Sequence, residues 1–103
     1  MNALAALADP TRRSIVELLA DGELSAGEIA SRFPTARPGV SRHLRVLREH
    51  GLVHARTEGQ RRLYSLDSRP LEELDAWLEH YRSFWTNRLD ALETELTRRR
   101  RKR

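Results

Sequence analysis

Residues 25–66 read SAGEIASRFPTARPGVSRHLRVLREHGLVHARTEGQRRLYSL, and this stretch decides the fold. It opens with a helix-start signal. Ser25 is an N-cap acceptor, Glu28 completes a capping box at N3, and Leu24 with Ile29 makes a hydrophobic staple. That helix is expected to run to about Phe33 and stop at Pro34. A turn at Pro34-Thr35-Ala36 leads into a second helix from about Arg37 to His50, terminated by Gly51. At 100° per residue Val40, Leu44 and Leu47 form one narrow apolar stripe, while Pro38, Ser41, Arg42, Arg45 and Glu49 occupy other faces. Leu52–Thr57 and Arg61–Leu66 are rich in strand formers and flank a turn at Glu58-Gly59-Gln60, so they read as a β-hairpin. Two short helices, the second held against the core by one edge with a basic back, followed by a hairpin, form a rigid rod of side chains suited to a DNA major groove.

Working outward, Ala3-Leu4-Ala5-Ala6-Leu7-Ala8 has no basic flank and is closed by Asp9-Pro10, so it reads as a short helix and not as a signal peptide. Asp9 caps a following helix with Pro10 in its first turn; Ile15, Val16, Leu18 and Leu19 supply its apolar stripe, and Gly22 ends it. On the other side, Asp67-Ser68-Arg69-Pro70 begins a last helix that continues to about Leu96. Its apolar residues Leu71, Leu74, Leu78, Tyr81, Trp85, Leu89, Leu92 and Leu96 recur at spacings of three and four, flanked by Trp77 and Phe84. At 1.5 Å per residue such a helix is ~40 Å long, more than so small a body can cover. A second copy of the chain is the simplest surface for its aromatics. The expected fold is mainly α with a small β-hairpin, in the order four helices, two strands, one helix.

The length of 103 residues suits one domain, and with 39% apolar residues a packed core is attainable. The absence of cysteine removes disulfides, thiolate metal sites and thiol redox switches, and fits a reducing cytoplasmic setting. No apolar run approaches the ~20 residues of a membrane span. The net charge is +4, and because residues 98–103 are six consecutive cations the remainder carries −2. Within that remainder the signs segregate. Residues 32–69 hold nine arginines against Glu49, Glu58 and Asp67, whereas residues 71–96 hold seven acids against Arg82 and Arg88. One face is therefore built to meet a polyanion and another is not. Residues 1–97 are read as one DNA-binding and dimerisation domain, and residues 98–103 as a basic disordered tail that adds salt-sensitive affinity or is inert.

These residues resemble the ArsR/SmtB family of winged helix-turn-helix transcriptional repressors. The resemblance covers Ala3 to about Leu96. It rests on Leu7-Ala8-Asp9-Pro10-Thr11-Arg12-Arg13, on Val40-Ser41-Arg42-His43-Leu44-Arg45-Val46-Leu47, on Gly51-Leu52-Val53, and on Gly59-Gln60-Arg61-Arg62 with Tyr64 and Leu66. It implies a homodimer joined through its first and last helices that represses by occupying an operator. Family members commonly sense metals, but the residues for that are missing here. Glu23-Leu24-Ser25-Ala26-Gly27-Glu28 carries no cysteine, Asp75-Ala76-Trp77 lacks a histidine, and Arg88 stands where another histidine is expected. Ala36 replaces a frequent capping serine, leaving Thr35 to cap the helix.

The candidate DNA-binding residues are Thr35, Arg37, Pro38, Ser41, Arg42, His43, Arg45, Arg61 and Arg62. Arg42 and Arg45 lead, because arginine pairs bidentately with guanine. Arg37 sits in a first turn, where a cation opposes the helix dipole and is better explained by a phosphate. His43 lies on the flank of the apolar stripe and reads first as a half-buried helix-packing histidine that donates to a phosphate from its edge. Arg61 and Arg62 belong at or near the wing tip, or protect a sheet edge. Arg12 and Arg13 are weaker phosphate candidates. The candidate dimer interface is Leu4, Leu7, Leu74, Trp77, Leu78, Tyr81, Trp85, Leu89 and Leu92. No metal ligands, cofactor or catalytic residues are assigned; His50, His54 and His80 show no ligand spacing, and no nucleophile–base pair or phosphate loop is present. Two alternatives remain open: a metal- or ligand-gated sensor of the same fold, and a winged-helix module that docks a protein.

Overall fold

In the computed structural model, residues 2–34 and 37–101 are described, the side chains of Asn2, Arg37 and Pro38 excepted. Helices α1 (Asn2–Leu7) and α2 (Pro10–Leu19) lead to a short strand β1 (Leu24–Ser25) and helix α3 (Ala26–Ala30). Helix α4 (Arg37–Glu49), strands β2 (Val53–Glu58) and β3 (Arg61–Leu66), and helix α5 (Arg69–Arg101) complete the order.

The helix starts follow from local chemistry. The Asp9 carboxylate accepts from the backbone N–H of Thr11 at 2.8 Å and of Arg12 at 3.0 Å, satisfying donors that α2 leaves orphaned. Ser25 and Glu28 form the reciprocal capping box at the start of α3, both bonds being 3.1 Å. Helix α4 ends in a Schellman arrangement: Leu52 N–H reaches Leu47 C=O and Gly51 N–H reaches Arg48 C=O, each at 3.0 Å. This requires the left-handed backbone that Gly51 adopts at φ 75°.

Ile15, Ile29, Leu47, Leu52 and Val40 are the largest fully buried side chains, so α2, α3, α4 and the base of the hairpin converge on one core. Ala3 and Ala6 of α1 are buried there as well, and α1 packs against α5.

The structure departs from the sequence reading at four places. The hairpin is part of a three-stranded antiparallel sheet of order β1-β3-β2, with Leu24 opposite Tyr64 and Ser25 opposite Leu63. Ser25 caps α3 with an extended backbone (φ −75°, ψ 161°), and the same conformation lets it pair with β3. Helix α3 is correspondingly short, ending at Ala30 instead of Phe33. The hairpin turn is two residues, Gly59-Gln60, because Glu58 pairs with Arg61. Of these two turn residues Gly59 has positive φ (61°) and Gln60 does not, the pattern of a type II′ turn. Finally, α5 runs to Arg101, past the end near Leu96 that the sequence suggests. Arginines in a last turn complement the helix dipole, and Arg98 and Arg99 lie 3.4 Å from Glu95 at helical spacing. Lys102 and Arg103 lie outside the described residues.

No residue of α5 is buried. The Cα radius of gyration is 19.3 Å, against about 13 Å for a compact chain of this length. The 67 Å long dimension reflects the outer part of α5 standing clear of the body.

Candidate nucleic-acid interface

Which face of α4 meets solvent is decided from behind. Val40, Leu44 and Leu47 enter the core, as their spacing requires. His43 turns toward α2, with its Nδ1 3.4 Å from Arg12 Nη1 and 3.9 Å from Asp9 Oδ1. Arg12 in turn donates from Nε to Ala6 C=O at 2.7 Å. The backbone N–H of Arg12, ahead of the charge near His43 and the N–H of Thr11, holds the Asp9 carboxyl below its ordinary range despite some desolvation. Asp9, Arg12 and His43 thus join α1, α2 and α4 into one support. Arg12 serves that support. His43 is placed behind α4, not on its solvent side.

The opposite face of α4 presents Ser41, Arg42, Arg45 and Arg48, all exposed. Ion pairs among the described residues engage Arg56, Arg61, Arg69, Arg82, Arg98 and Arg99, and none engages Arg42, Arg45 or Arg48. Three uncompensated guanidinium groups over two turns form a cationic ridge. Arg48 is not among the sequence candidates, although it lies three residues after Arg45, the spacing that puts two side chains on one helix face. Arg45 and Arg48 also line a groove with Glu49, Val53, His54 and Ala55, where α4 meets β2. Thr35 lies outside the described residues, as do the side chains of Arg37 and Pro38, whose backbone forms the first turn of α4.

The wing differs from expectation. Arg61 donates to Glu28 Oε1 at 2.7 Å, so it turns back onto α3 instead of reaching forward. Pairing of β1 with β3 brings the capping box beside Arg61. Glu28, held first by the backbone and hydroxyl of Ser25 and then by Arg61, ionises more readily than an ordinary glutamate. Arg56 is similarly occupied by Glu23 at 2.7 and 2.9 Å, with Glu58 at 3.2 Å. Arg62 has no acidic partner among the described residues and lies over the Tyr64 ring, 5.7 Å from its centroid. Of the two wing candidates, Arg62 alone retains an uncompensated charge.

A second support joins the wing to α5. Asp67 is buried; its carboxylate accepts from the backbone N–H of Arg69 at 3.0 Å, from Arg69 Nη2 at 2.7 Å, and faces His54 Nε2 at 2.5 Å. Its own N–H donates to Leu52 C=O at 2.8 Å. The Arg69 guanidinium, then its backbone N–H, and finally His54 hold the carboxyl far below the usual carboxylate range. The sequence marks Asp67 only as the lead-in to a helix. Its pairing with His54 needs the β2–β3 register, in which Val53 faces Leu66.

Among the described residues no group of three His, Asp or Glu side chains is placed to hold a metal ion, and no helix is long and apolar enough to cross a membrane.

A family model described as a helix-turn-helix domain matches residues 7–56. The chain is 50% identical over 84 residues to the HTH-type transcriptional regulator Rv2034 of Mycobacterium tuberculosis, covering 82% of this chain and 76% of that protein. It is 35% identical over 80 residues to the transcriptional repressor SdpR of Bacillus subtilis, covering 78% of this chain and 89% of that one. Among solved structures, the ArsR family transcriptional regulator RHA00566 superposes with a TM-score of 0.75 at 29% identity, covering 82% of this chain and 93% of the other. The chain belongs to the ArsR/SmtB family of winged helix-turn-helix transcriptional regulators.

Proposed function

We propose that this protein is a sequence-specific DNA-binding repressor that acts as a homodimer in the cytoplasm. The observation that carries the reading is the uncompensated ridge of Arg42, Arg45 and Arg48 on a face of α4 whose other side is locked into the core. In this reading residues 36–50 enter the major groove, with Arg42 and Arg45 at base edges or phosphates and Ser41 allowing close approach. The first turn, with Thr35, Arg37 and Pro38, contacts the backbone. His43 acts from behind by fixing α4, and Arg62 near the wing turn grips the flanking backbone. Arg61 joins it only by exchanging Glu28 for a phosphate. The last helix, with Leu4 and Leu7 of the first, holds two copies together. Two-fold symmetry then calls for an inverted-repeat operator with half-sites about one helical turn, or a multiple, apart.

The test is selection of bound duplexes from a random pool. A recovered inverted repeat supports the reading, and an unenriched pool defeats it. On the selected duplex, a dimer contacting roughly six to ten phosphates loses ~10³–10⁵ in affinity between 50 and 200 mM salt. A protein-docking module would show no salt-steep binding to any duplex.

A further inference from the structure

The two arginines after the wing turn stand on opposite faces of the sheet. Successive residues of a strand alternate, so Arg62 shares a face with Tyr64, and Arg61 shares the other with Leu63, Arg56 and Glu58. On the Arg61 face three acids meet two arginines, with Glu23 and Glu58 on Arg56 and Glu28 on Arg61. That side of the wing is net negative. Its two arginines are held differently. Arg56 donates from Nε and Nη2 to the two oxygens of Glu23 at 2.9 and 2.7 Å, and its Nη2 also lies 3.2 Å from Glu58. Arg61 makes one bond, from Nη2 to Glu28 Oε1 at 2.7 Å, between side chains that are 62% and 49% exposed. So exposed a pair is weak and screened by salt, and a phosphate can take the place of the carboxylate. The exchange leaves the fold intact. Glu28 Oε1 still accepts from Ser25 N–H, and Glu28 N–H still donates to Ser25 Oγ, both at 3.1 Å, so α3 remains capped once Arg61 has left.

We propose that Glu28 is a specificity-determining residue, an internal counter-ion that withholds Arg61 from the phosphates of non-cognate DNA and yields it when the operator seats the wing. This rests on the DNA-binding reading of the protein and adds the residue that limits it. Trading a carboxylate for a phosphate exchanges one anion for another, so it goes forward only where the phosphate is held within hydrogen-bond distance of the guanidinium. Base contacts from α4 fix the register of the whole body on the duplex, and with it the position of the wing on the backbone. A protein bound to random sequence through counterion release alone slides, and no phosphate stays opposite Arg61. Arg61 therefore strengthens the first complex and stays on Glu28 in the second, where the acids around it also repel the backbone. Arg56, with its fork filled by Glu23, takes no part in the exchange.

Glu28→Gln removes the charge and keeps a side chain that completes the capping box, so the full-length variant should retain its helicity. On a random duplex, fluorescence anisotropy should show binding about ten-fold tighter at low salt, from one relieved ion pair in each of two copies. The log–log salt dependence there should steepen by about two, one new phosphate contact per copy. Affinity for the operator recovered by duplex selection should rise less than about three-fold, so that discrimination narrows. In an Arg61→Ala background, Glu28→Gln should leave random-duplex affinity unchanged. Three results overturn the proposal: no gain on random duplex, an equal gain on operator and random duplex, or a gain that persists without Arg61 and so reflects general charge. A selection that enriches no repeat defeats the repressor reading itself. An enriched operator with undiminished discrimination in Glu28→Gln defeats this proposal alone.

Discussion

Helices α4 and α5 are built on the same plan, one narrow apolar stripe with arginines elsewhere, and meet opposite fates. In α4 the chain covers the stripe, with Val40 2%, Leu44 2% and Leu47 0% exposed, and leaves the guanidinium groups free. In α5 the stripe beyond Leu78 stays uncovered, with Leu89 and Leu92 both 61% exposed, while Arg82 is held by Asp75 and Glu79. What a helix leaves unsatisfied is what it offers to another molecule. Charge without counter-charge suits a polyanion, and apolar surface without cover suits another apolar surface.

This contrast can be broken most severely at the α4 ridge. Replacing Arg42 and Arg45 together by alanine should cost roughly 2–6 kcal/mol of operator discrimination, at 1–3 kcal/mol for each base-reading arginine. Fluorescence anisotropy would then show specific and random duplexes binding alike, with dimerisation and the circular dichroism spectrum unchanged. The covered stripe is next. Leu47→Ala should lower the free energy of unfolding by about 2–5 kcal/mol, read from denaturant midpoints at constant slope, whereas Leu89→Ala should leave the folding of the body alone and weaken self-association.

Smaller effects test the supports that aim α4. Ser25→Ala should destabilise by about 1 kcal/mol through loss of the capping box, and Gly51→Ala by about 1–2 kcal/mol by forcing a side chain into left-handed backbone. The mildest effect is on acidification. Asp67, Asp9 and Glu28 ionise more readily when folded than when unfolded. Their contribution is therefore complete above the unfolded carboxylate range near pH ~4 and is lost as pH falls through their lower folded values. Stability measured by urea between pH 7 and pH 3 should fall only at the acid end. Asp67→Asn should flatten that fall, and an unaltered acid limb in the variant would remove Asp67 from the account.

The sequence by itself determined what depends on neighbours along the chain. The caps at Asp9 and Ser25, the Gly51 stop, the core stripe of α4 and the basic back of that helix all follow from spacing and side-chain chemistry within a few turns. Tertiary structure alone decided the matters that join distant segments. Strand β1 exists because an extended cap residue lies beside β3. Arg61 is withdrawn because that pairing sets Glu28 within its reach. Arg12 and His43 become a brace because α2 crosses behind α4, and His54 meets Asp67 only once β2 and β3 are in register. Local rules decide where a helix begins and which side of it is oily. Which charges are left over depends on what the fold happens to bring beside them, and that no spacing along the chain reveals.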